Sequence, residues 1–356
     1  MVSLLTIDFY QRKGWKRLVT LVEIAKKLNL NVSTVSRALS RPDMVAEATR
    51  ERILETVASY EYRPNSIARS LRKGKTCTLG LIVSDIQNPF YAAIVKAVEG
   101  IASGHGYSTV VCNADENPQK ETEALHLLSE MKVAGIIHGS TGANLHILQS
   151  LSRQGFPIVD IDRVSGLTDA DTVLVDNQAG ARLAAEHLLE LGHTRLAVIT
   201  GPQHLTTGRD RLDGFRLALS AAKIALPDAL VHIGDFREGS GYEATVRLLG
   251  LSSPPTALFV ANNEMAAGAL TALRERSVLI PDALSLISFD DVRWAKYLEP
   301  ALTVIAQPTE QLGTLAAELL FERLSGRKEV VRRVLQPTLI ARGSSAPPRE
   351  MAVADA

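Results

Sequence analysis

Apolar positions recur with two different periods along the chain, and the change of period divides it in two. From Thr20, the residues Leu21, Ile24, Ala25 and Leu28 fall at helical spacing. Thr20 with Glu23 three residues on forms a capping box that opens this helix. Asn29-Leu30-Asn31 is a tight break, since Asn tolerates the left-handed conformation and also caps helices. A second helix is predicted from Val32 to Leu39, with Val32, Val35 and Leu39 facing inward. Arg41-Pro42-Asp43 interrupts the chain again. A third helix is predicted from Glu47 to Tyr60, burying Ile53, Val57 and Tyr60 and ending before Arg63-Pro64. Three short helices with a sharp turn between the first two make a helix-turn-helix.

After Cys77 the rhythm becomes strand, helix, strand. Strand-like runs fall at Leu79–Val83, Thr109–Cys112, Gly135–His138, Ile158–Asp162, Thr172–Val175, Leu196–Thr200, Leu230–Ile233, Ala257–Ala261, Leu284–Phe289 and Thr303–Ala306. Amphipathic runs such as Tyr91–Ser103, Lys120–Met131, Ala179–Leu191, Gly208–Ala222, Met265–Arg276 and Thr309–Leu324 lie between most of them. Such alternation predicts parallel sheets covered by helices on both faces. Ten strands are too many for one small sheet. The predicted fold is therefore a small all-α helix-turn-helix head followed by an α/β body of two doubly wound parallel-sheet lobes, with ligands bound beyond the carboxyl ends of the strands.

Composition adds polarity to this division. The chain has 39 Lys/Arg and 39 Asp/Glu, but residues 1–75 hold 15 Lys/Arg against 7 Asp/Glu, so a basic head precedes an acidic body. A basic module suits a polyanion, because Lys and Arg release counterions condensed on phosphates. The two cysteines, Cys77 and Cys112, argue against a disulfide framework. The start of the chain carries no secretory pattern, and no apolar stretch approaches the ~18–20 residues of a membrane span. A cytoplasmic protein without membrane contact is expected.

Enzyme signatures are absent from the sequence. Gly74-Lys75-Thr76 resembles the end of a phosphate-binding loop, but Arg69 stands where its first glycine belongs and no strand precedes it. The eight histidines show no metal-ligand spacing. Neither catalysis nor a metal or other cofactor is expected.

The order of modules resembles the LacI/GalR family of bacterial repressors over residues 20–342. The resemblance rests on Leu21-Val22-Glu23-Ile24-Ala25, Val32-Ser33-Thr34-Val35-Ser36-Arg37-Ala38-Leu39, Thr49-Arg50 and the run from Tyr62 to Leu71. The body adds Asn88-Pro89-Phe90-Tyr91, Asp162-Arg163, Leu191-Gly192-His193, Gly234-Asp235-Phe236 and Ile287-Ser288-Phe289-Asp290-Asp291. The body is also similar to periplasmic sugar-binding proteins, so a transport or chemoreception protein is the alternative, although it leaves the head unexplained. Departures from the family pattern are Asn29 at a turn usually held by Gly, Asn31 at a usual Ser cap, Ala46 at another, and Asn262-Asn263 for the usual Asn-Asp pair.

The resemblance implies roles residue by residue. The Val32–Leu39 helix would enter the major groove, with Val32, Ser33 and Arg37 reading bases while Thr34 and Ser36 contact phosphates. Asn65 to Arg72, too short to be a stable isolated helix, would form a hinge helix in the minor groove using Asn65, Ala68, Arg69 and Arg72, with Leu71 wedged into a base step. In the body Asp162, Arg211, Asn262, Asp290 and Gln307 would bond sugar hydroxyls, with Phe90 and Phe236 on the ring faces. Asn88, Tyr91, Arg163 and Arg209 complete the expected effector set. The implied partners are an inverted-repeat double-stranded DNA operator, a pentose or hexose effector, and a second copy of the chain in a homodimer or tetramer. The expected divisions are a flexible basic extension at 1–19, the head at 20–64, hinge and linker at 65–76, the body at 77–342 and a tail at 343–356. Lobe 1 is expected at 77–175 with 305–335, and lobe 2 at 176–304 with 336–342.

Overall fold

The computed structural model describes residues 19–60 and 76–348. The hinge positions Asn65, Ala68, Arg69, Leu71 and Arg72 lie outside the described residues, as do 1–18 of the expected extension. The chain separates into two compact units between Thr76 and Cys77.

The head contains α1 (Leu21–Leu28), α2 (Val32–Ser40) and α3 (Glu47–Ser59). Thr20 and Glu23 form the capping box, Asn29 closes α1 in the left-handed conformation at φ 52°, and the Asn31 side chain accepts from Ser33 N to open α2. Ala46 gives α3 no side-chain cap. Ile24, Ala25, Val35, Ala38 and Ile53 are buried, with Val32 and Val57 partly buried against them. Val19 joins this core, so the head begins one residue into the expected extension. Tyr60, expected inside, is 37% exposed. Its hydroxyl instead accepts from Lys27 Nζ at 2.6 Å, and the ammonium lies over the ring. A phenol can satisfy both an apolar body and a wet polar tip only near the surface.

In the body, β1 (Thr78–Val83), β2 (Ser108–Asn113), β3 (Gly135–His138), β4 (Ile158–Ile161), β5 (Asp171–Val175) and β11 (Arg332–Leu335) form the first sheet, in the order β11-β5-β4-β3-β1-β2. The second contains β6 (Leu196–Thr200), β7 (Val231–Ile233), β8 (Ala257–Val260), β9 (Ser285–Phe289), β10 (Thr303–Ala306) and β12 (Thr338–Ile340), in the order β12-β10-β9-β8-β6-β7. Neighbours run parallel except β12, which is antiparallel to β10. The chain passes between the sheets after β5, after β10 and after β11.

Buried strands read as continuous apolar runs because both faces are covered. Along β1, Leu79, Leu81 and Val83 face one core layer with α4 (Pro89–Gly104) and α11 (Thr309–Leu324), while Ile82 joins the opposite layer with α5 (Pro118–Glu130) and α6 (Leu145–Arg153). Around the second sheet pack α7 (Asn177–Glu190), α8 (Thr206–Ala221), α9 (Glu238–Leu249) and α10 (Asn263–Glu275). Among the described residues no helix is long and apolar enough to cross a membrane.

Three expectations need correction. Twelve strands are present among the described residues rather than ten; the additional β11 and β12 are short edge strands, and β11 carries Arg332 and Arg333. Charged, exposed edges hide strands from a hydrophobic-period reading while blunting unwanted pairing. Residues 305 and 306 lie in β10 and so in the second sheet, not the first lobe. Finally, the expected tail from 343 packs down at its start. Ser344 is buried, its carbonyl accepts from Leu286 N and its hydroxyl bonds Thr303 N and Leu286 O, because the bottom of the second sheet leaves those groups without strand partners.

Candidate functional site

The carboxyl ends of both sheets face one narrow polar cleft, which in this conformation leaves a free volume of about 30 Å3. Asn88 caps α4 after β1, Phe90 and Tyr91 follow in its first turn, and Glu116 lies after β2. Asp162 and Arg163 follow β4, Thr207 and Arg211 sit on α8, Phe236 follows β7, Asn262 caps α10, Asp290 follows β9 and Gln307 follows β10. All of these line the cleft, together with Asp85 and Arg237.

Four of them hold backbones that L-residues rarely adopt: Glu116 at φ 51°, Asp162 at φ 67°, Phe236 at φ 67° and Asp290 at φ 79°. Each directly follows a strand or its short exit, so the left-handed turn swings the side chain across the sheet end. Such conformations cost of order 1–3 kcal/mol and persist where surrounding structure over-determines them, commonly at binding sites. Gly201 supplies part of that surrounding, since a Cβ there would overlap the Phe236 ring.

The polar groups are mutually bonded across the cleft. Tyr91 Oη donates to Asp162 Oδ2 at 2.8 Å, and Arg163 reaches both Glu116 oxygens at 2.7 Å. Asn88 Nδ2 donates across the lobes to Asn263 Oδ1 at 3.1 Å, and Gln307 Nε2 donates to Asp290 Oδ1 at 2.5 Å. Arg211 is bonded to Asn177 Oδ1 and Ala261 O, with its guanidinium 3.8 Å from the Phe289 ring centre. Arg163 lies 5.4 Å from the Phe236 ring centre, again between lobes. At the rim Arg237 donates to the carbonyl and carboxylate of Asp115.

Burial sets the protonation preferences. It pushes the Asp290 carboxyl up against the opposing pull of Arg211 and Gln307, and pushes the Tyr91 phenol well up despite Arg163. Burial lowers Arg211. Burial also opposes the Arg163 charge, but the surrounding Tyr91, Glu116 and Asp162 outweigh it and raise that group. Seven buried side-chain polar atoms among the described residues have no hydrogen-bond partner, and three of them line the cleft: Arg163 Nε, Thr207 Oγ1 and Gln307 Oε1. Buried polar atoms almost always have one, so these mark where a ligand's own polar groups would fit. No group of three or more His, Cys, Asp or Glu able to hold a metal occurs among the described residues.

Residues 20–65 match the family model for bacterial regulatory proteins of the lacI family, and residues 185–345 match a periplasmic binding protein-like domain. An "HTH-type transcriptional repressor PurR" of Edwardsiella ictaluri is 33% identical over 332 residues, 92% of this chain and 97% of that one. The chain belongs to the LacI family. Its members are DNA-binding transcriptional regulators rather than enzymes. The lac repressor dimer bound to operator and the anti-inducer ONPF is similar with a TM-score of 0.82 at 27% identity, covering 93% of this chain and 100% of that chain. A LacI family regulator from Enterococcus faecium with bound ribose is similar with a TM-score of 0.68 at 32% identity, covering 76% and 99%.

Within this LacI-family chain, ten of the eleven effector positions expected from sequence come together in the cleft, and Arg209 does not. Arg209 is half exposed and pairs with Asp210 at 3.2 Å. Two residues along a helix turn a side chain by roughly 200°, so Arg209 and Arg211 cannot face one cleft. Missed from sequence were Asp85, Glu116, Thr207 and Arg237. Glu116 lies three residues beyond β2, so the strand-end rule applied to that strand would have found it. On α2, Ser33 and Arg37 are exposed, Thr34 and Ser36 are half-buried, and Val32 is half-buried on the head's core. Ser33 Oγ donates to Asn31 Oδ1 at 3.0 Å.

Proposed function

We propose that this LacI-family regulator is a cytoplasmic homodimer or tetramer that represses sugar-utilisation genes from an inverted-repeat operator. A small sugar or sugar derivative in the cleft controls its operator affinity. The observation that carries the effector reading is the set of orphaned polar atoms, Arg163 Nε, Thr207 Oγ1 and Gln307 Oε1, set among Asp162, Asn262 and Asp290 and walled by Phe90 and Phe236. Hydroxyls around the edge of a pentose or hexose both donate and accept, and its C–H faces suit aromatic walls. A ribose-bound relative supports the same class of ligand.

On the DNA side, exposed Ser33 and Arg37 read base edges with Val32, while Thr34 and Ser36 position the helix on phosphates. Asn65, Ala68, Arg69 and Arg72 form the hinge, and Leu71 is its minor-groove wedge. Sugar binding changes the free energy of assembling the two hinges, and operator changes sugar affinity by the same factor.

Purified full-length protein should bind duplex DNA in a salt-sensitive way, and a sugar found by calorimetry against a panel of pentoses and hexoses should shift operator affinity about 5–150-fold. Salt-insensitive DNA binding, or DNA binding that survives removal of residues 1–75, overturns the regulator reading; a panel without a binder overturns the sugar reading.

A further inference from the structure

Each guanidinium lining the cleft already has an acceptor inside the protein. Arg163 is gripped through both Nη atoms by Glu116, Arg211 by Asn177 and Ala261, and Arg237 by Asp115. Against these three cations stand four lining carboxylates, Asp85, Glu116, Asp162 and Asp290. Glu264 adds to the same field: burial raises its carboxyl, and Asp85, Glu238 and Asp290 push it further.

The two parallel bonds between Arg163 and Glu116 matter most. A guanidinium fork is the geometry with which an arginine takes a phosphate or carboxylate. Here Glu116, with its side chain only 16% exposed, occupies that fork from within the protein. On its other edge Nε lies 3.5 Å from Asp162 Oδ2, though without a hydrogen bond, and Nη1 also reaches Ser140 O at 3.4 Å, so Arg163 meets a carboxylate on both edges of its guanidinium. To take two parallel N–H bonds an anion would have to displace Glu116 or crowd against Asp162, whereas a neutral hydroxyl or ring oxygen can accept from one.

We propose that Glu116 is a specificity-determining residue: by filling the Arg163 fork it restricts the cleft to uncharged sugars and excludes phosphorylated or carboxylate-bearing ones. This rests on the sugar reading above. An anionic substituent would shed its water beside four carboxylates and find the nearest guanidinium already neutralised, and a charge buried without a partner is costly.

The test compares full-length wild type with Glu116→Gln and Glu116→Asp by calorimetry, using D-ribose, D-ribose 5-phosphate, D-glucose, D-glucose 6-phosphate and D-glucuronate. In parallel, thermal unfolding is followed in inorganic phosphate against chloride at matched ionic strength. Wild type should prefer a neutral sugar over its charged counterpart by about a hundredfold or more. Glu116→Gln should narrow that gap at least about tenfold and gain a saturable stabilisation by phosphate, while Glu116→Asp keeps the wild-type preference. Equal binding of charged and neutral sugars by wild type would overturn the proposal. So would a folded Glu116→Gln that responds to no anion; should Glu116→Gln not fold, Glu116→Ser carries the same comparison. If no neutral sugar binds wild type, the sugar reading fails, and the phosphate response of Glu116→Gln still decides the selector by itself.

Discussion

His138 offers the sharpest test of the electrostatics of this fold. It lies on β3, fully buried, between Glu121 of α5 and Asp160 of β4, both also fully buried. Nε2 meets Glu121 Oε1 in a short contact, and Nδ1 meets Asp160 Oδ1 at 3.3 Å. Since both ring nitrogens face carboxylates, only the doubly protonated ring donates to both. Burial works against that charge, but the bonds and charges of Asp160 and Glu121 overcome it and raise the group from 6.5 to about 9. At 1.36 kcal/mol per pH unit, that rise corresponds to about 3 kcal/mol. The folded value lies above the unfolded one, so the contribution is complete below pH 6.5 and disappears as pH climbs toward about 9. Replacing the ring, His138→Leu, leaves two buried carboxylates without their cation and should cost about 3–5 kcal/mol at pH 6. Urea unfolding of both proteins at pH 6, 7.5 and 9 reads the effect: the gap between them should be widest at pH 6 and shrink by about 3 kcal/mol at pH 9. A gap that is absent, or that stays constant over that range, would refute the charged-ring assignment. The variant should also loosen the cleft. Glu121 holds Thr141 and Asn144, which frame the segment whose Ser140 carbonyl accepts from Arg163.

Other perturbations separate binding from folding. Arg211→Ala should abolish the effector's influence on operator affinity while leaving operator binding intact, measured by fluorescence anisotropy with and without sugar; a surviving response misplaces the site. Gly201→Ala should push the Phe236 ring from its place and weaken sugar binding about tenfold or more, read by calorimetry, with DNA affinity unchanged. Asp171, buried and bonded to Arg323, Arg327 and Val331 N, has its carboxyl lowered because those bonds and charges outweigh burial. Its contribution is therefore present above about pH 4 and lost as pH falls further, and Asp171→Asn should cost about 3 kcal/mol at pH 7 in urea unfolding. Leu71→Ala should weaken specific operator binding far more than non-specific binding; equal losses in a competition assay would remove the wedge.

Much of this molecule was legible because burial writes itself into sequence. Strands such as Leu79–Val83 and helices such as Thr309–Leu324 announce themselves by apolar period, and Asn88, Asp162 and Asn262 stand where strands give way to helices. What escaped did so for physical reasons. Arg332 to Leu335 pairs only along one edge, and its charges mask the strand. Ser344 is buried through hydrogen bonds rather than hydrophobicity, so no pattern betrays it. Glu116 looks like an ordinary surface acid in Asp115-Glu116-Asn117; its place just past β2 marks it as a cleft candidate, but its pairing with Arg163 appears only in the fold. Arg209 shows the opposite error, a residue chosen from its neighbourhood in sequence although helical geometry turns it outward.

The repeated passage of the chain between the two sheets also bears on how the protein is made. Residues 332–335 complete the edge of the first sheet, and 338–346 complete the second, so neither half can close before those residues have been synthesised. The head, whose core among the described residues runs from Val19 to Val57, has none of them in it. A ribosome-bound nascent chain would therefore carry a folded three-helix head while its sensor was still open, and truncation near residue 330 would cripple both lobes together rather than trimming one.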